Sequence, residues 1–203
     1  MKRPHFEAPR AIEPATQMLE RFIEERIAEG ASFKPGDSVL CSWMLFQVGN
    51  EEQGRLPLLA PRQGVMPMSF VPDCSCALNL VLAQRYVCDS FEVIVSACNA
   101  CQAGIAIKNL KNCKQVFMNR TDEEEGNASG WFFGALDSTL DVNDRDNLEL
   151  KSLWDLSCSF PKCLDFFLLP PGWQVLLADS PVVLHEGELA AALSNSYFAA
   201  KYQ

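Results

Sequence analysis

Residues 115–135 read QVFMNRTDEEEGNASGWFFGA, and this stretch decides the class of fold. Its first part, residues 115–119, is a short apolar run with the composition of a strand. A very polar loop follows over residues 121–129, and the dense apolar tetrad 130–133 comes directly after it. Short apolar runs that alternate with polar loops predict a sheet of short strands.

The same alternation continues on both sides of this stretch. Four further segments are predicted as strands: 92–97, 104–109, 173–178 and 181–185. The segment 150–156 is predicted as a short helix, and residues 188–202 are predicted as a terminal helix. Residues 91–203 therefore predict one α+β domain that carries acidic loops.

The first ninety residues predict a region of helix, hairpin and helix. Residues 13–30 predict an amphipathic helix, because Pro14 suits its first turn, Gly30 suits its end, and apolar residues recur at helical spacing between them. Residues 38–48 and 55–60 are expected to pair as a hairpin. A second helix is predicted from Asp73 to Tyr86. The whole chain is thus predicted as α+β, with a mostly antiparallel sheet and flanking helices at both termini.

Charge is distributed unevenly along the chain. The 17 Lys and Arg against 26 Asp and Glu give a net charge of −9, which argues against a nucleic-acid partner. Ten acids between residues 120 and 155 stand against Arg120, Arg145 and Lys151, so this segment alone carries −7. We therefore expect a partner chosen by electrostatics to be basic.

Targeting signals are not evident in the sequence. No apolar run reaches the roughly 18 residues of a membrane helix, and the cations at the start are not followed by an apolar core. The sequence predicts a cytoplasmic protein without a membrane partner.

Catalytic and metal motifs fit this sequence poorly. Neither a nucleophile elbow nor a phosphate-binding glycine loop occurs. A calcium loop starting at Asp141 fails, since Arg145 and Asp146 occupy its fifth and sixth positions. Nine cysteines include the pair Cys98 and Cys101, but no second close pair or ligand-spaced histidine accompanies it. We predict no catalytic residue, no cofactor and no metal.

Five motifs of the C-terminal half occur in the order and approximate spacing of a known family. They are Phe117-Met-Asn-Arg120, the acidic residues 122–125, Ser129-Gly-Trp-Phe-Phe133, Asp144-Arg-Asp-Asn-Leu148 and Pro171-Gly172. Together they resemble an immunity-protein domain of bacterial polymorphic toxin systems, over about residues 94–184. The sequence departs from the family pattern at Ala128, Phe132 and Arg145, where Asp, Arg and Pro are usual.

The resemblance implies a non-enzymatic protein that binds and neutralises a cognate toxin. We expect its acidic surface to make the contact: Asp122, Glu123, Glu124, Glu125, Asp137, Asp141, Asp144 and Asp146. The motif residues expected to serve structure are Ser129, Gly130, Trp131, Phe133, Asn147 and Gly172. Such a negative surface would suit a basic toxin, for instance a nuclease.

Two other interpretations of the sequence stay open. One is an enzyme or metal protein that uses carboxylates of the same loops or the cysteines near Cys98. The other is a general interaction module in which residues 13–30 and 38–48 mediate self-association, while the acids maintain solubility. The oligomeric state is open under each interpretation.

Overall fold

A computed structural model describes residues 3–6, 12–122 and 126–203. The fold is α+β, as predicted, and the chain divides into two compact units, Met1–Leu82 and Ala83–Gln203. In the described part of the chain, no helix is both long and apolar enough to cross a membrane.

The first unit combines one long helix with a small sheet. Its elements are β1 (Pro4–His5), α1 (Glu13–Ala28), β2 (Ser38–Cys41), β3 (Met44–Val48), β4 (Leu56–Pro61), β5 (Phe70–Val71) and the start of α2 (Ser75–Ser90). The described strands lie in the order β1-β4-β3-β2, with β5 on β4. The predicted hairpin is confirmed, because β3 pairs antiparallel with β4.

Two details of the first unit differ from prediction. Residues 38–48 form two antiparallel strands instead of one, because the chain reverses between Cys41 and Met44 and Ser42 adopts a positive φ of 53°. Helix α2 runs four residues beyond Tyr86, to Ser90. The carboxylate of Asp73 accepts a hydrogen bond from the Ser75 amide at the start of this helix, 2.9 Å away.

The second unit is built on a larger sheet, here called the C-terminal sheet. Its elements after α2 are β6 (Ala103–Ile107), β7 (Val116–Arg120), β8 (Ala128–Ala135), β9 (Leu148–Ser152), α3 (Leu153–Ser159), β10 (Trp173–Leu176), β11 (Val182–His185), β12 (Glu188–Leu189) and α4 (Tyr197–Tyr202). The described strands lie in the order β12-β11-β10-β7-β8-β6-β9. Every pairing is antiparallel except that of β6 with β8.

Three predicted elements of this unit were wrong. Residues 92–97 form no strand, because Ser96 bonds through its amide to the Leu168 carbonyl and not to a sheet. Residues 150–156 are divided between β9 and α3, since the Ser152 hydroxyl caps the helix by accepting from the Asp155 amide. The terminal helix begins only at Tyr197, because the chain first turns at Gly187, with a φ of 85°, into β12.

One face of the C-terminal sheet, here called the covered face, packs against α3 and the short 3-10 helix Pro161–Phe166. Phe133 on this face lies 6.2 Å from Phe167 and 6.5 Å from Phe160, measured between ring centroids. Gly104 allows α3 to approach, since a Cβ there would lie 3.0 Å from side-chain atoms of α3. The core of the second unit therefore lies on this face.

Candidate functional site

Arg120, at the end of β7, is the polar centre of the covered face. It is 1% exposed, and its Nη1 donates to three carbonyls, those of Leu169 at 2.7 Å, Ser96 at 3.0 Å and Phe167 at 3.3 Å. Its guanidinium carbon also lies 5.6 Å from the centroid of the Trp131 ring. A buried arginine that satisfies several carbonyls holds the chain segments that contribute them.

Trp131 and Cys98 converge on one of the same carbonyls. The indole Nε1 donates to the Phe167 carbonyl at 3.2 Å, and the Cys98 thiol donates to it at 3.0 Å. The Trp131 and Phe167 rings meet edge to face at 5.9 Å. Both donors are buried, so they tie strand β8 and the 92–98 segment to the chain that covers the sheet.

Ser129 and Gly130 form a bulge in β8, directly before Trp131 on the covered face. The register shifts here: Ala103 pairs with Ala128, whereas Ile105 pairs with Phe132, four residues on. The Ser129 hydroxyl donates to the Ala103 carbonyl at 2.8 Å and accepts from the Trp131 amide. Gly130 has a φ of 75°, and a Cβ there would lie 2.5 Å from the Thr121 carbonyl oxygen. The bulge therefore requires glycine.

Asn147 and Gly172 also hold backbone in place. The Asn147 side chain donates to the Asp141 carbonyl at 3.0 Å, and its own carbonyl accepts from the Lys108 amide at 2.8 Å. Gly172, with a φ of 88°, donates to the Arg120 carbonyl at 2.8 Å as the chain enters β10. These contacts are all structural, within the second unit.

The second acidic loop, residues 137–146, is ordered by its own carboxylates. Asp141 accepts from the amide and side chain of Asn143 at 2.9 and 3.0 Å, and Asp144 accepts from the Asp146 amide at 2.9 Å. All three aspartates are exposed. Short polar residues that bond to the backbone two residues on are typical of tight turns. The loop therefore presents charge to solvent from a defined backbone.

Asp137 joins this loop to the start of β7. Its carboxylate accepts from the Lys114 amide at 2.9 Å and the Gln115 amide at 3.2 Å. The bond from Lys114 in particular lowers the pKa of this exposed carboxyl, because it favours the charged form. Asp137 thus serves the fold as well as the surface charge.

The described members of the predicted acidic surface do not form a single cluster. Asp122 is exposed just beyond the end of β7, whereas Asp137 bonds to residues just before its start. Five residues of strand separate them, a length of at least about 13 Å at about 3.3 Å per residue. Glu123, Glu124 and Glu125 lie outside the described residues. The described carboxylates therefore stand at two opposite ends of the sheet.

A cationic cleft of about 520 Å³ opens on the covered side of the sheet, at the edge formed by β6 and β9. Lys108, Lys111 and Lys151 line it, with Leu156 and Phe160 among its apolar walls. Lys151 is paired with Glu149 across 2.8 Å. The surface next to the acid-rich segment 120–155 therefore also carries positive charge, from Lys108 and Lys111.

Burial disfavours the thiolate form of several described cysteines. Burial raises the pKa of Cys74 and of Cys88 to about 12 and also raises that of Cys101, which keeps these thiols protonated at neutral pH. Among the described residues, no group of three or more His, Cys, Asp or Glu side chains is placed to hold a metal ion. Cys98 is used as a hydrogen-bond donor.

The role of Arg120 is the main feature that sequence reasoning missed. The charge count included it only as one of three cations in the acidic segment, and the structure shows that it is buried. A signal was present, because Val116, Met118 and Arg120 alternate along one strand and the first two are plainly apolar. An arginine in register with core residues is a candidate for burial.

Comparison with known proteins identifies the family. The Imm33-like domain matches residues 83–186, just over half of the chain and nearly the whole of the second unit up to β12. Comparison with curated proteins and with solved structures finds no match. The matched range includes all five motifs quoted above, and the predicted resemblance is confirmed. The chain belongs to the Imm33-like family, an immunity-protein family of polymorphic toxins.

Proposed function

We propose that this protein is a non-enzymatic immunity protein that binds and neutralises a cognate toxin in the cytoplasm. The family match over residues 83–186 is the observation that carries the proposal, since such families imply a toxin as partner. The family also suggests a role without catalysis. The hydrogen bonds of Arg120 and Trp131 support a role without catalysis. The guanidinium and indole groups of these motif residues bond to backbone carbonyls within the fold.

We further propose that carboxylates of the two acidic loops make the electrostatic part of the contact. The residues are Asp122, Glu123, Glu124, Glu125, Asp137, Asp141, Asp144 and Asp146. Residues 137–146 hold four acids against one arginine, Arg145, so this loop alone carries −3. Fixed negative charge speeds association with a basic protein, and this acceleration decreases as salt screens the charges.

The gene next to this one is sequenced first, and the C-terminal domain of a toxin-like protein encoded there serves as the partner, with binding and rescue of growth as readouts. A neighbourhood without such a gene contradicts the proposal. Asp146→Lys is the sharpest variant, because the Asp146 carboxylate has no hydrogen-bond partner among the described residues. We expect the association rate to fall about tenfold at low salt and the salt dependence to flatten. Glu25→Lys in α1 changes the net charge equally and should leave the rate unchanged.

Asp144 needs a different design because it also caps the turn at residue 146. Asp144→Asn keeps an oxygen that can accept from the Asp146 amide, whereas Asp144→Ala removes both charge and acceptor. If charge is what matters, both variants slow association about equally. Reversal of Glu123 and Glu124 extends the test to the first acidic loop. Binding that ignores salt and all these reversals contradicts the electrostatic contact, and a wild type that neither binds nor protects contradicts immunity.

A further inference from the structure

The C-terminal sheet has a second face whose described side chains include exposed and half-buried apolar residues, here called the open face. Its apolar residues mostly alternate with the buried ones along the strands and remain partly or largely exposed, although Ile107 at the end of β6 is fully buried. Leu150 is 74% exposed, Val182 38% and Ile105 36%. The members are Ile105, Phe117, Phe132, Leu150, Leu176 and Val182.

Strand register joins these side chains into one continuous patch. Leu150 on β9 lies opposite Ile105 on β6, and Ile105 lies opposite Phe132 on β8. The Phe132 and Phe117 rings lie 6.1 Å apart. Leu176 on β10 is in register with Phe117 on β7 and with Val182 on β11. The patch therefore crosses six neighbouring strands without a gap.

The charges around this patch lie at its ends and not within it. At the described strand positions of the open face, the polar side chains nearest the centre are the neutral pair Asn119 and Gln174, which are in register. Asp122 follows one end of β7, and the loop 137–146 lies at the other end. Lys108, Lys111 and Lys151 line the cleft on the covered side instead, and the exposed Lys114 lies beside Asp137. An apolar, partly aromatic centre with a charged border is the usual anatomy of a protein interface.

We propose that the open face is the surface that binds the toxin, through an apolar patch on the toxin bordered by basic side chains. This inference rests on the proposed immunity function and names its interface. The aromatic and aliphatic side chains would supply most of the affinity, while the carboxylates at both ends would set orientation and association rate.

Charge complementarity favours a basic partner over a second copy of this chain. Two copies packed face to face, with strands parallel or reversed, would bring carboxylates of one copy against those of the other. Asp122 at one end and Asp144 at the other make this so in both orientations. Like charges held together at an interface disfavour the complex.

The test is Leu150→Arg, measured with the same adjacent toxin domain. Leu150 lies on the edge strand β9 and is largely exposed, so the variant is expected to fold. We expect its dissociation constant to rise at least about tenfold, mainly through faster dissociation. The matched control is Ile94→Arg, because Ile94 is 89% exposed and lies beside residues that bond to the covered side. That control should bind as the wild type does.

Circular dichroism verifies folding, and Leu150→Ala replaces the arginine variant if the latter is unfolded. Unchanged affinity in Leu150→Arg or in the folded Leu150→Ala variant, with a wild type that binds, overturns the open-face assignment and leaves immunity standing. A wild type that fails to bind or protect overturns the immunity function together with this inference. Sedimentation provides the remaining arm: a wild-type dimer that Leu150→Arg dissociates would show that a second copy occupies the face.

Discussion

The two faces of the C-terminal sheet differ in what their side chains contact. On the covered face, Arg120 and Trp131 bond to carbonyls of the chain segments packed over the sheet. On the open face, Ile105, Phe132 and Leu150 form a patch that stays accessible. Arg120 and Trp131, which belong to the family motifs, therefore maintain the fold. Adjacent positions of the same strands are available for recognition. A shared motif can thus identify the family without identifying the partner.

Substitution of Phe132 and Phe133 should give the largest difference in stability between the two faces. The two residues are adjacent and chemically identical, so only their surroundings differ. Phe133 is fully buried against Phe160 and Phe167, whereas Phe132 is partly exposed. We expect Phe133→Ala to lower the free energy of unfolding by about 3–5 kcal/mol, the usual cost of removing a buried aromatic ring. Phe132→Ala should cost clearly less and should instead weaken toxin binding. Urea denaturation measures the first effect, and similar stability losses for both variants would contradict the contrast.

The sequence predicted strands well where apolar runs are bounded by turn residues. The predicted strands at 115–119 and 181–185 match β7 and β11 within a residue or so. Residues 92–97 have the same composition but no sheet partner, because their backbone bonds with Leu168 and Arg120 instead. Local composition cannot reveal such a distant partner.

The candidate site shows the same limit. The acids were visible in the sequence, but their division between two ends of β7 depends on pairing register. The parallel pairing of β6 with β8 brings Ile105 beside Phe132, and these residues are far apart in the chain. The alternation along one strand shows which of its side chains share a face. Which strands lie side by side, and hence which side chains form the patch, depends on strand order and register.

Gly134 offers a smaller test of how the open face is packed. A Cβ at this position would lie 2.5 Å from Phe117 Cζ and 2.9 Å from Phe132 Cε1. We expect Gly134→Ala to cost about 1–3 kcal/mol of stability through overpacking. In a Phe117→Ala background the same change should cost less, because one of the two rings no longer crowds the methyl group. A double-mutant cycle from urea denaturation measures this coupling, and additive losses would show that Phe117 does not lie across Gly134.

Substitution of Asp137 has the smallest expected effect on stability. This residue lies in the second acidic loop, next to the start of β7. Its folded pKa lies below the usual 3.8, chiefly because the Lys114 amide bonds to the charged form. A carboxyl with a lowered folded pKa contributes stability that is present above the unfolded value and is lost as the pH falls through the folded one. Asp137→Asn should therefore be slightly less stable than the wild type at pH 7, with the difference shrinking in acid below 3.8. Asp146→Asn, which lacks this bond, is the control for urea denaturation at both pH values. Two results would contradict this account: a stability loss in Asp137→Asn that persists in acid, or an equal loss in Asp146→Asn. Either would mean that the amide bonds do not favour the charged Asp137 carboxylate.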